Sequence, residues 1–215
     1  MHGIFVTGTD TDSGKTRVCA ALLSGSPACW RYWKPVQTGL DRDAGDTSTV
    51  ARFAALPAHR APDVGVRLGL PVSPHHAAAM VGSTIDVERL VAAFVELNTS
   101  DDFWVVEGAG GILTPLTTSQ TIRELAVALQ LPVLIVVRVR LGAINHALMT
   151  AEALRNAEIP VLGFVLSGAN DPSLQSALAA LTTIPVLGRM EENATDSELY
   201  LEGIQLRSSL RKAAQ

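Results

Sequence analysis

Phe5-Val6-Thr7-Gly8-Thr9-Asp10-Thr11-Asp12-Ser13-Gly14-Lys15-Thr16 carries an apolar strand into a glycine-bounded loop and then, through Gly-Lys-Thr, into a helix. That order is how a protein holds a triphosphate. Backbone N–H groups of the loop turn toward phosphate oxygens, and the helix N-terminus adds the positive end of its dipole. Lys15 is placed to reach the β and γ phosphates, and the Thr16 hydroxyl to ligate Mg²⁺. Five residues, Thr9 to Ser13, separate the two glycines instead of the usual four, a longer loop that marks a subgroup. A chance Gly-Lys-Thr in a turn lacks the flanking elements. Here an apolar strand precedes the motif, and the helix-forming run Cys19-Ala20-Ala21-Leu22-Leu23 follows it.

The chain around this loop is built for burial. Its 215 residues fit one domain, residues 1–215, large enough for a substantial core. A hydrophobic content of 47% and a mean hydropathy of +0.25 suit a parallel sheet covered on both faces. The net charge of −4 leaves no basic footprint, so nucleic acid is not an expected partner. Two cysteines, Cys19 and Cys29, form neither a disulfide framework nor a metal spacing, and Cys19 reads as a small buried hydrophobe. No signal peptide is expected, because the chain enters a strand at once. The apolar run Leu131 to Val137 is too short to cross a bilayer. A cytoplasmic location and no membrane partner are therefore expected. The triplets Asn98-Thr99-Ser100 and Asn193-Ala194-Thr195 match the glycosylation sequon by chance.

Outward from the loop, strands and helices alternate. Strands are expected at Gly3–Gly8, Trp30–Lys34, Phe103–Glu107, Val133–Val137, Pro160–Leu166 and Ile184–Leu187, with an edge strand at Val64–Leu68. Helices are expected at Gly14–Leu23, Thr47–Ala55 capped by Asp46, from Pro74, and at Asp86–Leu97, Thr121–Gln130, Leu141–Asn156 and Pro172–Leu181. Pro35 and the run Gly108-Ala109-Gly110-Gly111 read as loops, and the tail after Gly188 as polar with a short helix at Gln205–Lys212. The pattern implies an α/β fold with a doubly wound, mostly parallel sheet and helices on both faces, the P-loop NTPase arrangement. Right-handed crossovers then bring the strand ends carrying residues 8, 34, 107 and 167 to one edge, where ligands bind.

Glu107 ends an apolar strand and glycines follow at once. Read alone, that is a solvated acid before a flexible turn. Beside a phosphate loop it is where a second Mg²⁺-binding acid sits. Lys34, also at a strand end and followed by proline, points into the same cleft. It is either a snorkelling surface lysine or a cation that stabilises charge on a transferred phosphoryl group. Thr38 and Asp46 lie close by, though both residue types are common in turns and caps. Ser73-Pro74-His75-His76 suggests a metal, but adjacent histidines on a helix diverge, which favours a surface or capping role. Arg138 and Arg140 straddle a strand end, near the cleft or simply exposed. Gly142 opens a helix in Leu141-Gly142-Ala143-Ile144-Asn145-His146, either as an anion-binding N-terminus or as a packing glycine.

Together the phosphate loop, Lys34-Pro35-Val36-Gln37-Thr38-Gly39, Ser73-Pro74-His75, Val106-Glu107-Gly108-Ala109-Gly110-Gly111 and Leu141-Gly142-Ala143-Ile144-Asn145-His146 resemble the dethiobiotin synthetase family, in that family's order. The long loop with Thr-Asp-Thr and the Leu-Gly-x-x-Asn-His run are specific, whereas Glu-Gly-Ala-Gly-Gly is shared with related amide-forming enzymes. The resemblance implies an ATP-dependent cyclo-ligase of biotin biosynthesis. Its substrates would be 7,8-diaminopelargonate (7,8-diaminononanoate), CO₂ or bicarbonate, and a nucleoside triphosphate, ATP, with Mg²⁺ as cofactor. Lys34 and Lys15 would be catalytic. The nucleotide would meet Asp12, Ser13, Gly14, Lys15, Thr16, Arg17, Asp46, Glu107, Gly108, Ala109, Gly110, Ser167 and Gly168. Thr16, Asp46 and Glu107 would hold Mg²⁺. Thr11 and Thr38 would meet the carbamate or diamine end, and Gly142 to Asn145 the carboxylate tail, from the other subunit of a homodimer.

Two segments depart from the family pattern. Ser167-Gly168 stands where the family often has Asn, commonly Asn-Asp, with Asn170-Asp171 three residues later. Arg189-Met190-Glu191-Glu192 replaces Ile-Pro-x-Leu. Both lie where the family reads the base, which points to relaxed discrimination among triphosphates. A P-loop switch of the partitioning or metal-insertion type is the alternative. Such ATPases carry a second lysine early in the loop, where this chain has Thr9, and no basic amphipathic tail is evident. A glutamine-using synthetase would need a Cys-His glutaminase domain or an ammonia-supplying subunit, and a non-enzymatic nucleotide-binding subunit would not need Lys34.

Overall fold

The structure is a computed structural model that describes residues 3–98, 101–192 and 194–213. The two sequon triplets reach outside these residues. In chain order the elements are β1 (Gly3–Gly8), α1 (Lys15–Leu23), β2 (Trp30–Trp33), β3 (Val36–Gln37), α2 (Gly45–Phe53), β4 (Val66–Arg67), α3 (Pro74–Met80) and α4 (Val87–Leu97). They continue with β5 (Phe103–Gly111), α5 (Ile122–Leu129), β6 (Val133–Arg138), α6 (Ala143–Arg155), β7 (Val161–Ser167), α7 (Pro172–Leu181), β8 (Val186–Met190) and α8 (Asp196–Ala213).

Six strands pair in the order β2-β5-β1-β6-β7-β8, every pair parallel. The C-terminal ends of all six therefore share one edge, which brings residues 8, 34, 107 and 167 together as the sequence implies. Side chains alternate across the sheet. Ile4, Val6, Tyr32, Val105, Leu134 and Val136 pack under α1 and α8, whereas Phe5, Trp33, Trp104, Val106 and Ile135 pack against α4, α5 and α6. On that second face Phe94 of α4 stacks on Trp33 at 5.4 Å and meets Trp104 edge-on at 5.7 Å. Asp86 and Thr121 cap α4 and α5, the latter as a capping box with Glu124.

The structure corrects the sequence reading at five places. β5 runs on through Gly108 to Gly111, where a loop is expected, because Gly111 still pairs with Gly8 of β1. Val36–Gln37 is a short strand rather than loop, and it pairs with β4 in a separate two-stranded sheet, so β4 is not an edge of the main one. α2 begins at Gly45, which puts Asp46 in its first turn and not at its cap. β8 lies over Val186–Met190, displaced toward the C-terminus. The tail is α8, a helix of 18 residues instead of a short one.

α8 is held by close approach as much as by apolar area. Leu199, Leu206 and Leu210 bury one face of it. A Cβ on Gly203 would fall on the Ala21 carbonyl, so only glycine lets the two helices come this near. Arg207, also buried, donates to the carbonyls of Ala21, Leu22 and Ser24 at 3.2, 2.8 and 2.8 Å. These carbonyls at the end of α1 have no partner within the helix, and the guanidinium supplies one.

Candidate nucleotide and carboxylate site

The phosphate loop closes tightly on itself. Thr9 N–H donates to the Val136 carbonyl at 2.9 Å, and Lys15 Nζ donates to the Asp10 carbonyl at 3.0 Å. Asp12 and Gly14 take the left-handed conformation, with φ of 55° and 94°. At Gly14 a Cβ would meet the Ser167 hydroxyl, so the residue must be glycine for space as well as for angle. Lys15 is 7% exposed, and it opens α1. Burial, reinforced by the nearby Lys34 cation, lowers its ammonium to a pKa of about 8.

Opposite the loop, Lys34 is buried and uses all three of its N–H donors. Nζ lies 2.6 Å from Asp46 Oδ2, 2.9 Å from Glu107 Oε1 and 2.9 Å from the Gly108 carbonyl. Burial alone would lower this ammonium, but the Glu107 and Asp46 carboxylates outweigh it and raise the pKa. Asp46 shows the reciprocal effect: burial pushes its carboxyl up, and the Lys34 cation, with its hydrogen bond, brings it below its ordinary value. Thr16 Oγ1 donates to Glu107 Oε1 at 2.9 Å. Thr16, Asp46 and Glu107 thus form one connected set, a hydroxyl and two carboxylates. These are hard oxygen donors of the kind magnesium takes, already gathered around a cation.

These groups face a cavity of about 860 Å³. Lys15, Thr16, Arg17, Lys34, Asp46 and Glu107 line it, as do Thr11, Asp12, Gly14, Thr38, Ala109 and Gly110. Four nominated nucleotide contacts do not. Ser13 is fully buried, its hydroxyl turned toward Gly8, and Ser167 Oγ faces Gly14. Gly108 offers its carbonyl to Lys34, and Gly168 offers its carbonyl to Arg189 at 3.3 Å. Arg189 is further engaged by Glu191 at 2.7 Å, and Asp171 caps α7 through the Ser173 and Leu174 amides. In the segments that depart from the family, these side chains bond to one another or cap a helix.

Gly142 and Asn145 lie outside the cavity altogether. Gly142 is the left-handed N-cap of α6, and Asn145 is exposed, its amide donating to Met149 Sδ at 3.3 Å. Through Met149, Asn145 borders a smaller depression of about 310 Å³ lined by Thr9, Asp10, Leu113, His146 and Met149. Arg140 reaches back to Asp10 at 2.7 Å, and Arg138 faces Glu192 at 3.8 Å. The rings of His75 and His76 diverge at 81°, and among the described residues no three His, Cys, Asp or Glu gather as a metal cluster.

Sequence reasoning missed two contributors. Tyr32, fully buried, donates to Glu107 Oε2 at 2.8 Å. It lies two residues before Lys34 in an apolar strand, where a tyrosine reads as an ordinary core residue. Gln37 accepts from the Asp46 amide at 3.0 Å and donates to the Thr38 carbonyl at 2.8 Å, tying the Lys34 segment to the start of α2. Nothing in the sequence marks that link. Cys19 is buried as expected, and burial together with the neighbouring Glu107 carboxylate raises its thiol.

Residues 2–197 match the family model described as an AAA domain. The chain is 42% identical over 192 residues to the ATP-dependent dethiobiotin synthetase of Rhodopseudomonas palustris, covering 89% of this chain and 86% of that one. It is 38% identical over 212 residues to the enzyme of the same name from Novosphingobium aromaticivorans, covering 96% of this chain and 98% of the other. Among solved structures, the MinC:MinD cell division protein complex of Aquifex aeolicus superposes with a TM-score of 0.62 at 12% identity, over 100% of this chain and 96% of that one. That likeness concerns the fold. Identity of this extent, over nearly the whole length of both chains, assigns the sequence: it belongs to the ATP-dependent dethiobiotin synthetase family.

Proposed function

We propose that this chain carboxylates 7,8-diaminopelargonate and closes it to the cyclic urea of dethiobiotin, driven by ATP, within a single domain. The observation that carries the reading is Lys34, a buried cation bridging Asp46 and Glu107 at the wall of the cavity that Lys15 enters. One amine of the substrate adds to CO₂, loses a proton and becomes a carbamate. A carbamate oxygen attacks the γ-phosphorus, the bond to ADP breaks, and a carbamic-phosphoric anhydride forms. The second amine then attacks the anhydride carbon and gives up a proton, the carbon–oxygen bond breaks and phosphate leaves.

Both reactants are anions, so the protein's work is to hold them in line and to offset their charge. Lys15 and Lys34 supply two cations for this, and the loop amides and the α1 N-terminus supply fixed dipoles. Thr16, Asp46 and Glu107 are the residues that would hold Mg²⁺, which supplies charge neutralisation at the phosphates. Thr11 and Thr38, on the cavity wall, suit the carbamate end. Gly142 and Asn145 would receive the carboxylate from a second copy of the chain. Their exposure outside the cavity supports this, as does the exposed apolar group Leu113, Leu141 and Met149 beside them.

The test is phosphate release from MgATP with and without the diamine and bicarbonate, with the product followed by mass. Release that needs both and matches the dethiobiotin formed is expected. Release indifferent to the diamine would overturn the ligase reading and favour a P-loop switch.

A further inference from the structure

The Tyr32–Glu107 bond lies outside every role assigned above. Each carboxylate oxygen of Glu107 has its own partners. Oε1 accepts from Thr16 and Lys34, both at 2.9 Å, on the cavity side. Oε2 accepts from Tyr32 Oη at 2.8 Å, on the core side. Tyr32 and Glu107 are both 0% exposed. The tyrosine ring cannot wander, because it is packed with Val6, Cys19 and Val105 under α1, and its backbone is paired to Val105 of β5. The phenol is therefore a fixed point against which the carboxylate is set.

We propose that Tyr32 is a positioning residue for the metal and nucleotide site: it fixes the rotation of the Glu107 carboxylate, so that one named oxygen, Oε1, is presented to the cavity. A carboxylate held by one edge only can turn about its last torsion, which is broad and soft. Partners that orient a ligand from behind typically change metal affinity or activity by about 10–100-fold when removed. The inference rests on Glu107 being a magnesium ligand, as proposed above.

The variant is Tyr32→Phe, which removes one oxygen and keeps the ring. Mg²⁺ binding to the protein saturated with ADP would be read by calorimetry, with melting temperature recorded alongside. Tyr32→Phe is expected to weaken Mg²⁺ about tenfold while leaving metal-free ADP binding unchanged. Replacing Tyr32 by 4-aminophenylalanine, which restores a donor at the same place, is expected to recover most of the loss. A lower melting temperature with unchanged Mg²⁺ affinity would overturn the proposal and leave Tyr32 a core residue. Glu107→Gln separates the two claims. If it weakens Mg²⁺ and Tyr32→Phe does not, the positioning role fails and the ligand assignment stands. If Glu107→Gln leaves Mg²⁺ unaffected, the ligand assignment itself fails.

Discussion

The Glu107 cluster, which the sequence presents as a magnesium-binding acid near a lysine, and the start of α6, which it presents as an anion-binding helix N-terminus or a packing glycine, are built in opposite ways. Around Glu107 the charges are joined, with Lys34 and Glu107 buried and Asp46 half-buried: Lys34 touches two carboxylates and a carbonyl, and Thr16 and Tyr32 complete Glu107. At α6, Gly142 and Asn145 stand on the surface, and Leu141 beside them is fully exposed. A buried charge must be paired inside its own chain, because water cannot reach it. An exposed helix start has no such demand and can wait for a ligand or a second subunit. The first region is satisfied within one chain, and the second would, on the proposed function, be half of a site shared with a second copy.

That contrast can be broken experimentally. The largest effect is expected at Lys34. Lys34→Ala should lower turnover about 10²–10³-fold while nucleotide binding changes far less, read by steady-state kinetics and calorimetry. A large loss of binding with turnover retained would make Lys34 a structural cation. Asn145→Ala should act differently, raising the KM for the diamine about tenfold with no change in melting temperature, as loss of one charge-assisted hydrogen bond predicts. If it alters ATP binding instead, the half-site reading is wrong.

Lys15 gives the contrast a pH dependence. Its folded pKa of about 8 lies below the ordinary 10.5, so the folded protein releases this proton first. Between those values the unfolded chain holds more protons, and this group's contribution to stability rises with pH. Metal-free ADP should follow the opposite course and bind more weakly as pH climbs through 8, because the phosphates lose a cation. Calorimetry across that range would detect it, and affinity flat with pH would argue that Lys15 does not meet the phosphates.

What the sequence conveyed and what it withheld have the same physical origin. Residues that follow apolar runs, such as Glu107 and Lys34, stand out because polarity changes abruptly there. Tyr32 does not stand out, since a tyrosine in an apolar strand is an ordinary core residue until its hydroxyl is seen against Glu107. Gly108 to Gly111 look like loop because glycines have weak strand preference, yet backbone pairing with β1 needs no side chain. α8 looks like a polar tail because few of its residues are apolar, and its docking depends on what is missing at Gly203 and on a buried Arg207.

Two smaller effects refine the boundary between the regions. The two segments that depart from the family pattern engage themselves through Arg189, Glu191 and Gly168. Activity with CTP or GTP is therefore expected within about tenfold of that with ATP, since weak polar readout gives weak discrimination. A steep preference for ATP would contradict this. The Arg140–Asp10 pair, 43% and 48% exposed, ties the lead-in of α6 to the phosphate loop. Asp10→Asn should change stability by less than about 1 kcal/mol in denaturant titration, as exposed pairs do.

The most direct measurement follows oxygen from bicarbonate to phosphate. Bicarbonate labelled with heavy oxygen is supplied with MgATP and the diamine, and the released phosphate is weighed before the label exchanges with water. Attack by a carbamate oxygen on the γ-phosphorus predicts one heavy oxygen in each phosphate formed with dethiobiotin. Phosphate whose one newly acquired oxygen comes from the solvent would mean that water is the nucleophile, and would contradict the assignment of this site to carbamate phosphorylation.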